Sequence, residues 1–350
     1  MKAEELEPFV SRVRADLLAE RNERGHWEGH LSDSALATAV AIAALLLAKR
    51  REVAPAETDD LVKAGLAWLN ENRNGDGGWG DCPASPSNVS TVALCWATLR
   101  LARDEGLEFT DALESAEAWL IKEAGSLEPT ALADTIYRRY GKDRTFAVPI
   151  LTHCVLCGAF GGNKQGWRLV KPLPFELATL PHGFFKFLRL QVVSYALPAL
   201  IAIGHARHHH RPSLNPMARM IRHWAKPRVL RLLEKVQPKT GGFLEATPIT
   251  AFVAMSLSGS GQESHPVMKR ALRFLVTQAH ENGSWPIDAN LATWVTTLSV
   301  NALGASGEQP LPDEEAVPVH DWLLGQQHRI VHPYTQAAPG GWAWTDLSGG

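Results

Sequence analysis

Long apolar runs are missing from this chain of 350 residues. No stretch of about 20 residues escapes a charge or a proline, so no membrane-spanning helix is expected. Cysteine is scarce. Cys82, Cys95, Cys154 and Cys157 are too few and too scattered for a disulfide framework, which points to a reducing compartment. Neither sign of charge dominates: 35 basic residues face 37 acidic ones, and no basic run is long enough to suggest nucleic acid. Residues 1–7 are charged and lack the apolar core of a signal peptide. No glycine-rich phosphate loop and no Gly-x-Ser-x-Gly elbow occurs, and no segment alternates with the period of a strand. Tyrosine is rare at 4, against 12 tryptophans. Packing alone would be served by Leu and Phe, so this excess implies a tryptophan-bearing repeat or an aromatic-lined pocket.

The repeat is visible. An amphipathic segment leads repeatedly into a glycine-aromatic turn: Arg24-Gly25-His26-Trp27, Gly75-Asp76-Gly77-Gly78-Trp79, Gly241-Gly242-Phe243, Asn282-Gly283-Ser284-Trp285 and Gly340-Gly341-Trp342. The spacing is irregular, but self-similarity on this scale marks an array of helical hairpins. Helices are predicted over 4–22, 35–48, 58–72, 89–103, 111–124, 129–140, 145–156, 216–235, 248–258, 265–279, 291–303 and 314–327. Those at 35–48, 89–101 and 291–303 are apolar nearly all round, whereas 58–72 is amphipathic. That alternation suits two concentric layers, with the apolar helices inside. The expected fold is all-α, an α-α barrel. Ser34 is among the caps expected for 35–48, Thr58 caps 58–72, and Thr247 caps a helix with Pro248 at its first position. One segment breaks the rhythm: a proline-punctuated stretch from Lys171 to Leu177, then Phe184, Phe185, Phe187, Leu188 and an apolar run at 192–204 with Pro198 in its middle. It reads either as one more core helix or as a face that meets lipid, flanked by Lys186, Arg189 and a basic end.

Few residue groups point to chemistry. His153-Cys154-Val155-Leu156-Cys157 has zinc-like spacing without a second ligand pair, and reads as core filling. His208-His209-His210 reads as a solvated helix end. Glu57, Asp59, Asp60 and Asp313-Glu314-Glu315 read as first-turn acids facing a helix dipole rather than as catalytic carboxylates. Trp27, Trp79, Trp285 and Trp342 read as turn anchors. Trp167, Trp294 and Trp344 are left unassigned by the repeat.

Arg270-Ala271-Leu272-Arg273-Phe274-Leu275 through Gln278 to Gly283-Ser284-Trp285 closely resembles the repeat of squalene–hopene and oxidosqualene cyclases. Lys63-Ala64-Gly65-Leu66-Ala67-Trp68-Leu69 to Gly77-Gly78-Trp79 is similar, with Asn72 or Arg73 at the glutamine position. The run at 174–181 resembles the family's Pro-Pro-Glu segment, and Pro339-Gly340-Gly341-Trp342-Ala343-Trp344 resembles the turn before its Asp-x-Asp-Asp acid. The resemblance implies two α-α barrels. Residues 1–30 would be a helix for the second barrel, 31–310 the first barrel with a membrane-docking segment at about 172–210, and 311–350 the opening of the second. The acid is then expected beyond Gly350, with no catalytic acid in these residues and no polycyclisation by them alone. Substrate-lining residues implied by the family pattern are Trp167, Ala246, Thr247, Pro248, Trp294, Trp342 and Trp344; Ala246 and Thr247 depart from its Ile-Gln. The implied partners are a polyprenyl such as squalene and one leaflet at the cytoplasmic face of a membrane, with a homodimer left open. No cofactor or metal is implied. Two alternatives stand beside this reading: a lipid- or partner-binding toroid without turnover, and a protein prenyltransferase β-type barrel, which would need Asp, Cys and His on zinc.

Overall fold

The computed structural model describes residues 3–161, 164–187, 189, 196–305, 310–331 and 337–348. Among these, fifteen α-helices and two short 3-10 turns form the structure, with no strand and one isolated bridge between Asp33 and Pro286. In chain order the helices are α1 (Ala3–Ala19), α2 (Ala35–Lys49), α3 (Thr58–Glu71), α4 (Val89–Asp104), α5 (Thr110–Ala124), α6 (Pro129–Tyr140) and α7 (Arg144–Leu156). Then come α8 (Gly166–Leu169), α9 (His182–Phe187), α10 (Leu197–His210), α11 (Pro216–Val236), α12 (Thr247–Ser258), α13 (Pro266–Thr277), α14 (Ala292–Leu303) and α15 (Asp313–Gly325). The chain divides into two compact units, Ser32–Ile287 and the pair of segments Met1–Leu31 and Asp288–Gly350.

The larger unit is a closed ring. α2 packs on α4, α4 on α7, α7 on α10, α10 on α12, and α12 returns to α2. Each inner helix carries an outer one: α3 on α2, α5 on α4, α6 on α7, α11 on α10 and α13 on α12. α2 can sit at the centre because it is almost wholly Ala, Leu, Ile and Val, and every residue from Ala37 to Ala48 is buried. Its alanines let neighbours approach closely enough for side chains to reach its backbone. Thr98 Oγ1 donates to the Ala39 carbonyl (2.9 Å) and Ser258 Oγ to that of Leu47 (3.0 Å). These bonds satisfy buried hydroxyls that would otherwise cost about 1–3 kcal/mol each.

The glycine-aromatic turns fasten the outer ring. Trp79 Nε1 donates to the Leu69 carbonyl (2.9 Å) and Trp285 Nε1 to that of Leu275 (2.7 Å), each capping the helix ten residues before. The glycines dock on the next outer helix. At Gly283 (φ +87°) a Cβ would lie 2.6 Å from the Ala64 backbone on α3, and at Gly241 (φ +92°) 2.3 Å from the Arg270 carbonyl on α13. Gln237 reinforces that second junction. Its amide donates to the Gly241 and Val267 carbonyls (2.8 and 3.1 Å), and its oxygen accepts from Arg270 Nε (2.7 Å).

The smaller unit repeats the turn chemistry. Trp27 Nε1 donates to the Leu17 carbonyl (2.7 Å) and Trp342 Nε1 to that of Leu323 (2.6 Å). Arg14 reaches the Leu303 and Pro310 carbonyls, so α1 is tied to the chain after α14. α14, expected in the inner ring, belongs to this unit and leaves Trp294 and Leu298 exposed.

Several local expectations need correction. Thr58 and Thr247 are first helical residues rather than caps: the N-cap positions are Glu57 and Ala246, and both threonine hydroxyls are buried without a partner among the described residues. Ser34 does cap α2, accepting from Ala37 N–H. Pro198 lies in the first turn of α10, where a missing N–H costs nothing, rather than in mid-helix. Leu188 and 190–195 lie outside the described residues. His208–His210 do not form a wholly solvated end, because His210 stacks on Trp167 (4.7 Å) and His208 sits against Phe175 (5.9 Å).

Candidate functional site

In the smaller unit, Trp294 N–H donates to the Trp344 carbonyl at 3.1 Å, bringing two of the sequence-derived tryptophans onto one backbone junction. Their side chains stay 47 % and 39 % exposed, and Trp342 is similarly half-exposed. The same junction is supported by Thr345 Oγ1, which donates to Asn290 Oδ1 (2.6 Å), and by Ala292 N–H on that same oxygen (3.2 Å). Asp288 begins this stretch. Burial pushes its carboxyl up to about 6, far above the ordinary aspartate. Nothing in its sequence context signalled this, since the shift comes from burial rather than from a charged neighbour.

In the larger unit, Ala246, Thr247 and Pro248 are all buried at the start of α12. Two consecutive residues just before them, Leu244 and Glu245, adopt left-handed backbone (φ +58° and +54°), which L side chains rarely accept. Thr240 Oγ1 donates to Glu245 Oε1 (2.7 Å) and Thr247 N–H to the Ile287 carbonyl (2.8 Å), so the bend is anchored on both sides. Trp167 is buried, its ring face covered by His210. The seven sequence-derived lining residues therefore fall into two groups: Trp294, Trp342 and Trp344 in one unit, and Trp167, Ala246, Thr247 and Pro248 in the other.

The Cys-His motif is buried core. His153 Nε2 lies 3.1 Å from both Thr98 Oγ1 and the Leu94 carbonyl, and 3.5 Å from Cys157 Sγ. Desolvation lowers His153 to about 4 and pushes the Cys154 thiol up to about 12, so both remain neutral across the physiological range. A protonated thiol is a poor metal ligand.

A surface feature was missed by sequence reasoning. On α11, Met217, Met220, Ile221 and Trp224 follow the i, i+3, i+4, i+7 spacing and are all exposed, Trp224 at 62 %. Arg219, Arg222, His223 and Lys226 share the helix and line an adjoining cavity of about 730 Å³ with His205, His208 and His209. Phe184 and Phe187 on α9 are exposed too, the latter at 84 %. No described helix is long and apolar enough to cross a membrane.

Paired inner and outer helices fastened by glycine-aromatic turns define an all-α barrel of the helical-hairpin class. Residues 10–133, about a third of the chain, match the family described as squalene–hopene cyclase N-terminal domain. No curated protein matches its sequence. Among solved structures, a protein from Actinoplanes is similar at 13% identity and a TM-score of 0.36, covering 81% of this chain and 84% of that one. A type II terpene cyclase from Scytonema, solved in complex with its substrate geranylgeranyl dihydroxybenzoate, is similar at 14% identity and a TM-score of 0.33, covering 80% of each chain.

Proposed function

We propose that the chain serves protonation-initiated polycyclisation of squalene or a similar polyprenyl, the chemistry of a class II terpene cyclase. The observation that supports it best is the junction of Trp294 with Trp344, which holds two indole faces half-exposed on one fixed backbone. A polyene offers only apolar surface and π-electrons. A carboxylic acid gives its proton to the terminal alkene, leaving a carboxylate and a tertiary cation. The next double bond attacks that cation, forming a carbon–carbon bond and moving the charge along the chain until a proton is lost. An indole face stabilises such a cation by roughly 0.5–2 kcal/mol when water is excluded. Trp344 and Trp294 are read as these faces.

The test separates binding from turnover. A tertiary-amine analogue of the polyprenyl cation should quench tryptophan fluorescence and bind at least tenfold more weakly to Trp344→Ala, while Trp79→Ala lowers stability and leaves that affinity alone. Equal affinity in Trp344→Ala and the wild type would reject the assignment. Turnover of squalene by the chain is followed by gas chromatography. Polycycles from this chain would place the acid's role among its own carboxyls, with Asp288 the first to substitute.

We further read the chain as docking on one membrane leaflet. The exposed stripe of α11 with its arginines, and the exposed Phe184 and Phe187 of α9, support this: an apolar stripe flanked by cations suits the boundary between acyl chains and anionic headgroups.

A further inference from the structure

The loop after α1 and the last described turn meet around one histidine. A ring nitrogen of His26 and carboxylate oxygens of Glu28 and Asp346 all lie within 4.8 Å of one another, the one such group among the described residues. Three features distinguish it from a chance surface cluster. His26 is fully buried, and its ring is fixed by face-to-face stacking on Trp322 (centroids 3.8 Å apart, planes 12° apart). Its Nδ1 has no hydrogen-bond partner among the described residues, and neither does the buried Oδ1 of Asp346. Its other nitrogen, Nε2, lies 3.2 Å from Glu28 Oε1 and 3.0 Å from Asn22 Nδ2, and that amide also donates to Glu28 Oε1 (2.8 Å).

These contacts leave a problem that a cation would solve. A neutral imidazole carries one N–H and one lone pair. With the proton on Nδ1, Nε2 accepts from Asn22 Nδ2 (3.0 Å) but the buried Nδ1 donor is unmet. With the proton on Nε2, the Nδ1 lone pair is unmet. Each unmet buried group costs about 1–3 kcal/mol. Two carboxylates gathered beside one imidazole also concentrate negative charge that a cation would offset. Imidazole with carboxylates is a donor set for borderline divalent ions rather than for Mg²⁺, and Glu28, being exposed, leaves an open side for water.

We propose that His26, Glu28 and Asp346 form a binding site for a borderline divalent cation such as Zn²⁺, one that pins the turn after Trp344 to the loop after α1. The site is independent of the cyclase reading: it can exist whether or not a polyprenyl is turned over. Because Asp346 is two residues from Trp344, metal occupancy would fix the position of that indole.

The test uses the full chain, stripped with a chelator and titrated with Zn²⁺ alone by calorimetry. One equivalent should bind with a Kd in the micromolar range or tighter, and Mg²⁺ at the same concentration should give no heat. Asp346→Asn and Glu28→Gln, which preserve size, should each weaken Zn²⁺ binding at least tenfold and abolish the rise in Tm that Zn²⁺ gives the wild type. Circular dichroism establishes that both variants are folded. Absence of a one-equivalent Zn²⁺ isotherm, or an unchanged isotherm in both variants, would overturn the proposal; the latter result would assign the ion to other histidines.

Discussion

Asp288 keeps a proton that an ordinary aspartate gives up, and this sets a measurable sign. Its folded pKa of about 6 lies above the unfolded value of 3.8, so the native state binds more protons than the unfolded chain between those limits. Its contribution to stability is therefore lost as pH rises from about 4 through 6. Asp288→Asn should stabilise the protein at pH 7 by on the order of 2 kcal/mol, allowing for the side chain's partial exposure, and should leave it unchanged near pH 4. Urea unfolding of both proteins at the two pH values measures the difference. A gap of the same size at pH 4 would show that amide packing, not the proton, is responsible. This residue was not legible in the sequence, where it is one aspartate in a turn-rich stretch.

At the scale of elements, the glycine-aromatic turns were legible because they depend on local chemistry: positive φ at glycine and an indole N–H that caps the preceding helix. Their docking was not, since it joins residues far apart in sequence, such as Gly283 and Ala64. Gly283→Ala should lower stability by roughly 1–3 kcal/mol or more, from strained φ and from contact with the α3 backbone. Gly125→Ala shares the positive φ but has open space and should cost about 1 kcal/mol, while Gly75→Ala, with neither feature, should be near neutral. Thermal denaturation of the three variants tests the order. α11 shows where periodicity fails. Ala225, Val229, Leu230 and Leu233 face the core, whereas Met217, Met220, Ile221 and Trp224 face out. Helical spacing identifies an apolar face but not what covers it.

At the scale of the molecule, helix content and class were readable from alternating apolar and amphipathic segments, which is why twelve predicted helices recur within a few residues. The compact units were less so, because α14 is as apolar as an inner helix and only packing assigns it to the smaller unit. The surface gives the matching prediction. Flotation with vesicles containing phosphatidylglycerol should carry the wild type upward. Replacing Met220, Ile221 and Trp224 by Ser should leave most of it at the bottom, and replacing Phe184 and Phe187 by Ser should add to the loss. Equal flotation of all variants would reject leaflet docking. Binding should also fall with added salt, since the flanking cations act over about a Debye length.

The closed ring also bears on synthesis. Asp33 pairs with Pro286, and Ser34 N–H bonds to the Trp285 carbonyl at 3.0 Å, so the ring closes between its own first and last segments to leave the ribosome. α2 needs both α4 and α12 to cover it, yet α12 is translated roughly 10–40 s later at ordinary elongation rates. For that interval a helix with no polar side is only half enclosed. A nascent chain of this barrel thus carries aggregation-prone apolar surface until the final turn arrives to shut the circle.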